Sequence, residues 1–144
     1  MASIHKEFLI DTSPEQVWAA VRDFGAVHQR LTPGMVVATQ LEADARLVTF
    51  GNGLVLRELL VNLDDSTRRL VYASVQGRAT HHNASIQVLP EGNERSRVVW
   101  ITDVLPNELE PFVRQLVEQG SAIMKRTLEG GAARSSREQP DSGR

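Results

Sequence analysis

The chain has 144 residues, 41% hydrophobic and 5% aromatic, with 16 basic against 18 acidic side chains and no cysteine. That length suits one domain burying about 70% of its unfolded surface, and the missing cysteines exclude disulfide scaffolds, thiolate metal sites and cysteine nucleophiles. A net charge of −2 leaves no electrostatic footprint for nucleic acid or an anionic membrane, and the apolar runs are too short to span a bilayer. The opening MASIHKEFLIDTS carries no apolar stretch of the signal-peptide kind, so a cytoplasmic location is expected.

Residues 3–11 alternate, with Ile4, Phe8 and Ile10 against His5, Glu7 and Asp11, which predicts a half-buried strand. Ser13-Pro14-Glu15-Gln16 is a helix start: Ser13 can accept from the Gln16 amide, and Pro14 stands where a missing N–H costs nothing. Val17, Trp18, Val21 and Phe24 follow at helical spacing, and Gly25 is expected to supply a left-handed stop. One or two further turns fit before Pro33-Gly34.

From Met35 to Val104 the period is two. Six strand-like runs, at about 35–42, 45–50, 54–63, 68–76, 82–89 and 96–104, are separated by turn chemistry such as Gly51-Asn52-Gly53 and Asp64-Asp65-Ser66. Connections this short leave no room for crossover helices, so the sheet is an antiparallel meander. After Pro106 the period returns to 3.6. Asn107 and Glu110 form a capping pair, and Leu109, Phe112, Val113, Leu116, Val117, Ile123, Met124 and Leu128 make one stripe that Gly130-Gly131 ends. Such a helix is roughly 33 Å long. From Gly130 the chain reads GGAARSSREQPDSGR, expected to be a disordered tail behind a single domain of residues 1–129.

This order, with IDTSPEQVWAAVRDFG at 10–25 and SRVVWITDVLP at 96–106, resembles the START/Bet v 1-like (SRPBCC) superfamily, in particular its bacterial polyketide cyclase/dehydrase-and-lipid-transport type. The Ser-Pro-x-x-Val-Trp entry with Asp23-Phe24, Glu58 followed by Asp64-Asp65, and Val98-x-Trp100 carry the resemblance, which covers residues 3 to about 129. At 28–33 the sequence departs from the Trp-x-Pro-like step common there. The resemblance implies an α+β helix-grip fold: a seven-stranded antiparallel sheet wrapped around a long C-terminal helix, with two short helices after the first strand. It also implies a deep apolar cavity that takes lipids, polyketides or other hydrophobic small molecules, with cyclisation or dehydration in some members.

Strand parity gives an inward set. Val98, Trp100, Thr102 and Val104 share one face; His82, Ala84, Ile86 and Val88 a second; Leu70, Tyr72 and Ser74 a third; Leu56, Glu58, Leu60 and Asn62 a fourth. Apolar walls with a few polar groups suit a small-molecule site. Phe24, Ile86, Leu116, Tyr72 and Trp100 are expected to wall the cavity, the last two each bearing one hydrogen-bonding atom; the alternative is ordinary core packing. Glu58, between leucines and an arginine, is either a ligand-facing acid or one half of a structural ion pair. His82 and His28 are weighed as cavity groups against surface histidines.

His81 and His82 point to opposite faces of a strand and find no third ligand at metal spacing, so neither a metal nor a cofactor is expected. No Gly-x-Ser-x-Gly elbow occurs, and Gly51-Asn52-Gly53 leads into a strand where a phosphate cradle needs a helix. Gly120, in mid-helix, is expected to clear space over the cavity or admit a strand. The opposite strand face, Val55, Leu59, Val61 and Leu63 beside Val71, Ala73 and Val75, is apolar enough for a homodimer contact. Three functions are thus open: a binder of a hydrophobic small molecule, which is favoured; a polyketide cyclase, aromatase or dehydratase using Glu58 or His82 as acid or base; and a protein-interaction module acting through the outer sheet face.

Overall fold

The computed structural model describes residues 1–75 and 77–141, with side chains described as far as residue 130. The element order is β1 (Ala2–Ile10), α1 (Pro14–Val21), α2 (Val27–Arg30), β2 (Val36–Glu42), β3 (Ala45–Phe50), β4 (Val55–Asp64), β5 (Arg69–Val75), β6 (His81–Pro90), β7 (Ser96–Leu105), a 3-10 turn at Asn107–Leu109, and α3 (Glu110–Asp141). The seven strands form one antiparallel sheet in the order β1-β7-β6-β5-β4-β3-β2. β2 to β7 are a simple meander, and β1 pairs with β7 along its whole length, Ala2 opposite Val104 and Ile10 opposite Ser96. The inner face and α3 bury each other's apolar sides, as a sheet and an amphipathic helix must.

Turn chemistry acts where the sequence places it. Gly53 adopts φ +92°, and Asn52 Oδ1 accepts from the Leu54 amide at 3.0 Å to close the β3–β4 hairpin. Ser13 caps α1, its hydroxyl accepting from the Gln16 amide at 3.3 Å. The Asp64 carboxylate accepts from Ser66 at its amide (3.0 Å) and hydroxyl (2.7 Å).

Five expectations are corrected. Gly25 is not left-handed; a side chain there would sit 2.9 Å from Leu41 Cγ, so close approach of β2 is what excludes one. A bulge between Leu60 and Asn62 leaves Val61 unpaired, so parity flips: Leu63 turns inward opposite Leu70, and Asn62 turns out opposite Val71. The outer apolar row therefore loses Leu63, while Val55 and Val61 remain exposed on it. No Asn107 cap forms; the Leu109 amide donates to Pro106 O at 3.1 Å, and Glu110 pairs with Arg114 one turn on. Finally α3 passes through Gly130-Gly131 without a left-handed residue at Gly130 and continues to Asp141. Of the tail expected over 130–144, residues 142–144 lie outside the described residues.

Candidate functional site

The sheet and α3 do not close completely. Between them lies an inner chamber of about 90 Å³, walled on the sheet side by Val48, Leu56, Tyr72, Ile86, Trp100 and Thr102. Val113, Leu116, Val117, Gly120 and Met124 of α3 form its roof, and Val27, Leu31, Thr32 and Met35 close the end beside α2. A larger outer chamber of about 300 Å³ opens beside it, bounded by the β3–β4 hairpin tip, the segment before β6 and the first turns of α3. The two share Leu56, His82, Val113 and Leu116, which form the neck between them.

Register builds a polar row into this apolar wall. Arg46 of β3 stands opposite Glu58 of β4, and Glu58 opposite Ser74 of β5. Arg46 is 4% exposed and donates from Nε to Glu58 Oε1 at 2.8 Å and from Nη1 to the Phe24 carbonyl at 3.2 Å. Its guanidinium also lies 4.0 Å from the Phe24 ring centroid and 5.0 Å from that of Tyr72, so aromatic faces replace water around the charge. Ser74 Oγ donates to Glu58 Oε2 at 3.4 Å. The pair is therefore neutral as a unit, and both charges are hydrogen-bonded, the condition for burying them.

Burial raises the Tyr72 hydroxyl well above the ordinary phenolic value, helped by the Glu58 charge and opposed by Arg46, so it is a neutral donor and acceptor. Burial lowers His82 below the ordinary histidine value against the opposing pull of Glu58, with His81 lowering it further. A neutral imidazole thus stands at the neck. The Trp100 indole beside the Tyr72 hydroxyl partly opposes the rise at Tyr72, and Thr32 Oγ1 is buried without a hydrogen-bond partner among the described residues.

Leu56, Glu58, Tyr72, His82, Ile86, Trp100, Leu116 and Gly120 thus come together on the chamber wall from four strands and one helix. Two expected wall residues do not join them. Phe24 turns its ring under the Arg46 guanidinium, and His28 points to β2, its Nδ1 3.0 Å from Thr39 Oγ1. The inner face of α2 is instead Val27 and Leu31. Gly120 faces the indole of Trp100: a Cβ would fall 3.1 Å from Cη2 and 3.2 Å from Cζ3. Phe112, expected in the core stripe, is 41% exposed at the outer chamber beneath Arg78, 5.6 Å from its ring. Arg46 is the charged chamber-lining side chain that reading the sequence missed. Its alternation with Val48 and Phe50, opposite Glu58, was the available signal. Asp65 does more than turn the chain: it accepts from Trp18 Nε1 and Arg22 Nε, each at 2.8 Å, and so anchors α1 to the sheet.

Among the described residues no cluster of three or more His, Asp or Glu has metal-binding geometry, and no helix is long and apolar enough to cross a membrane. The sequence profile of the family described as polyketide cyclase / dehydrase and lipid transport matches residues 1–135. An uncharacterised protein from Bacillus thuringiensis superposes with a TM-score of 0.80 at 20% identity, over 88% of this chain and 98% of that one. The di-domain ARO/CYC protein BexL of the BE-7585A biosynthetic pathway gives 0.78 at 16% identity, over 90% of this chain and 47% of that one. A START superfamily protein from Mycobacterium smegmatis gives 0.72 at 17% identity, over 92% and 97%. A search of curated proteins found no match.

Proposed function

The chain belongs to the polyketide cyclase / dehydrase and lipid transport family, and from that premise we propose that it binds a hydrophobic, ring-containing small molecule between its sheet and α3. The observation that carries this reading is the pair of chambers joined at Leu56, His82, Val113 and Leu116. Close packing is the rule in protein interiors, so unfilled apolar space of this extent under a helix that could have closed on it calls for an occupant. Native mass spectrometry of gently purified protein tests it directly by the mass of a co-purified ligand. A neutral fluorescent probe, N-phenyl-1-naphthylamine, gives the second readout: it is expected to brighten on binding wild-type protein, and Leu116→Trp, which plugs the neck, is expected to abolish the signal while the fold remains. Probe binding undiminished in Leu116→Trp would count against this cavity as the site.

A second reading rests on His82. A buried, neutral imidazole at the neck is suited to take a proton from a carbon beside a carbonyl, as an aldol cyclisation or dehydration requires. Glu58 is the less accessible candidate, since Arg46 and Ser74 occupy both its oxygens. The enzyme reading expects His82→Gln to lose turnover of a poly-β-ketone thioester while probe binding persists, and Glu58→Gln to retain it. Loss in Glu58→Gln alone would transfer the base role to that carboxylate.

A further inference from the structure

Three of the four histidines hold a neighbour: His5 meets Glu7, His28 meets Thr39 and His81 meets Asn83. His82 has no such partner among the described residues. Its half-buried ring belongs to both chambers, at the neck that it forms with Leu56, Val113 and Leu116. The part of the ring that stays accessible therefore faces space that a ligand would fill.

The groups around the neck decide what a proton on this ring would meet. Of those that line the two chambers, β3 contributes Arg46, β4 Glu58 and β5 the neutral hydroxyl of Tyr72. The segment before β6 contributes Arg78, which lies over the Phe112 ring at 5.6 Å. β7 places Val104 directly across from His82, with Trp100 and Thr102 beyond, and α3 brings Val113, Leu116 and Phe112; none of these is charged. On its own strand His81 points to the opposite face, where Asn83 holds it. Glu58 is the one carboxylate in this set, and Arg46 and Ser74 already engage both its oxygens. A charged imidazole would thus join two guanidinium groups and a single carboxylate, and the rest of its stabilisation would have to come from water in the chambers. Burial already holds the ring below the ordinary histidine value. A ligand that removes the water would hold it lower still.

We infer that a proton and the ligand compete for the neck: His82 is neutral whenever an apolar ligand fills both chambers, and charging it drives the ligand out. The cavity then loads in neutral surroundings and unloads in acidic ones. This rests on the ligand-binding reading above and adds its regulation. Linkage makes the effect reciprocal, so the ligand must disfavour the proton by as much as the proton disfavours the ligand.

The test titrates N-phenyl-1-naphthylamine, a diarylamine too weakly basic to be protonated in this range, into the full chain from pH 7.5 to pH 5. Wild-type affinity is expected to be constant at the upper end and to fall on acidification by up to about ten-fold per pH unit once His82 is charged, while His82→Gln changes by less than about two-fold. Circular dichroism at each pH establishes that both proteins stay folded. A second readout needs no variant: the His82 ring resonance of wild-type protein, followed by NMR, is expected to titrate at lower pH when the probe is saturating. If wild-type affinity is flat, if its slope survives in His82→Gln, or if His82 titrates at the same pH with and without probe, the competition is overturned and the cavity reading stands. If wild-type protein fails to bind the probe even at pH 7.5, the cavity reading falls and the competition with it.

Discussion

Arg46 shows how much one buried charge organises at the residue scale. With its side chain 5% exposed and that of Glu58 11% exposed, the pair is too dry for solvent to screen. Removing one partner of such a pair leaves the other buried without compensation, a cost of about 3–5 kcal/mol. Arg46→Leu is expected to lose stability on that scale in urea denaturation, and Arg46→Leu with Glu58→Leu to recover most of it. Single and double variants of equal stability would show that the pair is not coupled. His82 sets a pH dependence. Its folded-state value lies below the ordinary histidine value of about 6.5, so between the two values the unfolded chain binds more protons than the folded one. Stability from this group is therefore complete above pH 6.5 and declines as pH falls below it. Melting temperatures from pH 7.5 to 5 are expected to show that slope in wild type and a flatter one in His82→Gln; equal slopes would remove His82 as its source.

At the scale of the element, α3 carries a compromise at Gly120. A helix interior prefers alanine to glycine by about 1 kcal/mol, yet a Cβ would crowd the Trp100 ring at 3.1 Å. The ring borders open space and can move, so Gly120→Ala is expected to change stability by less than about 1 kcal/mol while pushing the indole into the inner chamber. Binding of N-phenyl-1-naphthylamine should weaken about five-fold, measured by titration beside a denaturation curve. Unchanged affinity would mean that the ring position does not shape the site. The β4 bulge works on the same scale, since one unpaired residue decides that Leu63 and not Asn62 faces the core.

Across the whole molecule the two ends of α3 are held differently. Near its middle and beyond, Lys125 donates to Leu9 O at 2.7 Å, Thr12 to Leu128 O at 3.1 Å, and the Asp11 amide to Glu129 at 2.8 Å. Toward the cavity mouth the polar tie among the described residues is the bridge from Lys6 to Glu118 at 2.9 Å, its side chains 31% and 53% exposed, beside the apolar packing of Val113 and Val117 on Ile4 and Val104. Exposed ion pairs of that kind contribute about 0–1 kcal/mol, so the first turns of α3 are the part that can lift to admit a ligand. Hydrogen exchange is expected to be faster over 110–118 than over 121–129, and to slow over 110–118 when ligand binds. Uniform protection along the helix would place the entrance elsewhere.

The order of elements, the antiparallel meander and the inward parity of β5, β6 and β7 were all legible in the chain. They depend on local chemistry: period two against period 3.6, turn residues at fixed positions, connections too short to cross over. That legibility reached Tyr72, His82, Ile86 and Trp100, because alternation fixes a face without knowledge of the neighbour. It did not reach Arg46, whose charge argues for solvent until Glu58 and two aromatic rings are brought alongside by strand register. It misplaced Phe24 and His28, since the path of a loop over a sheet is set by packing between residues distant in sequence. The neck and the unfilled space are properties of surfaces meeting in three dimensions. The sequence by itself therefore determined a sheet gripping a helix, and the tertiary structure alone decided what that grip leaves empty and which residues line it.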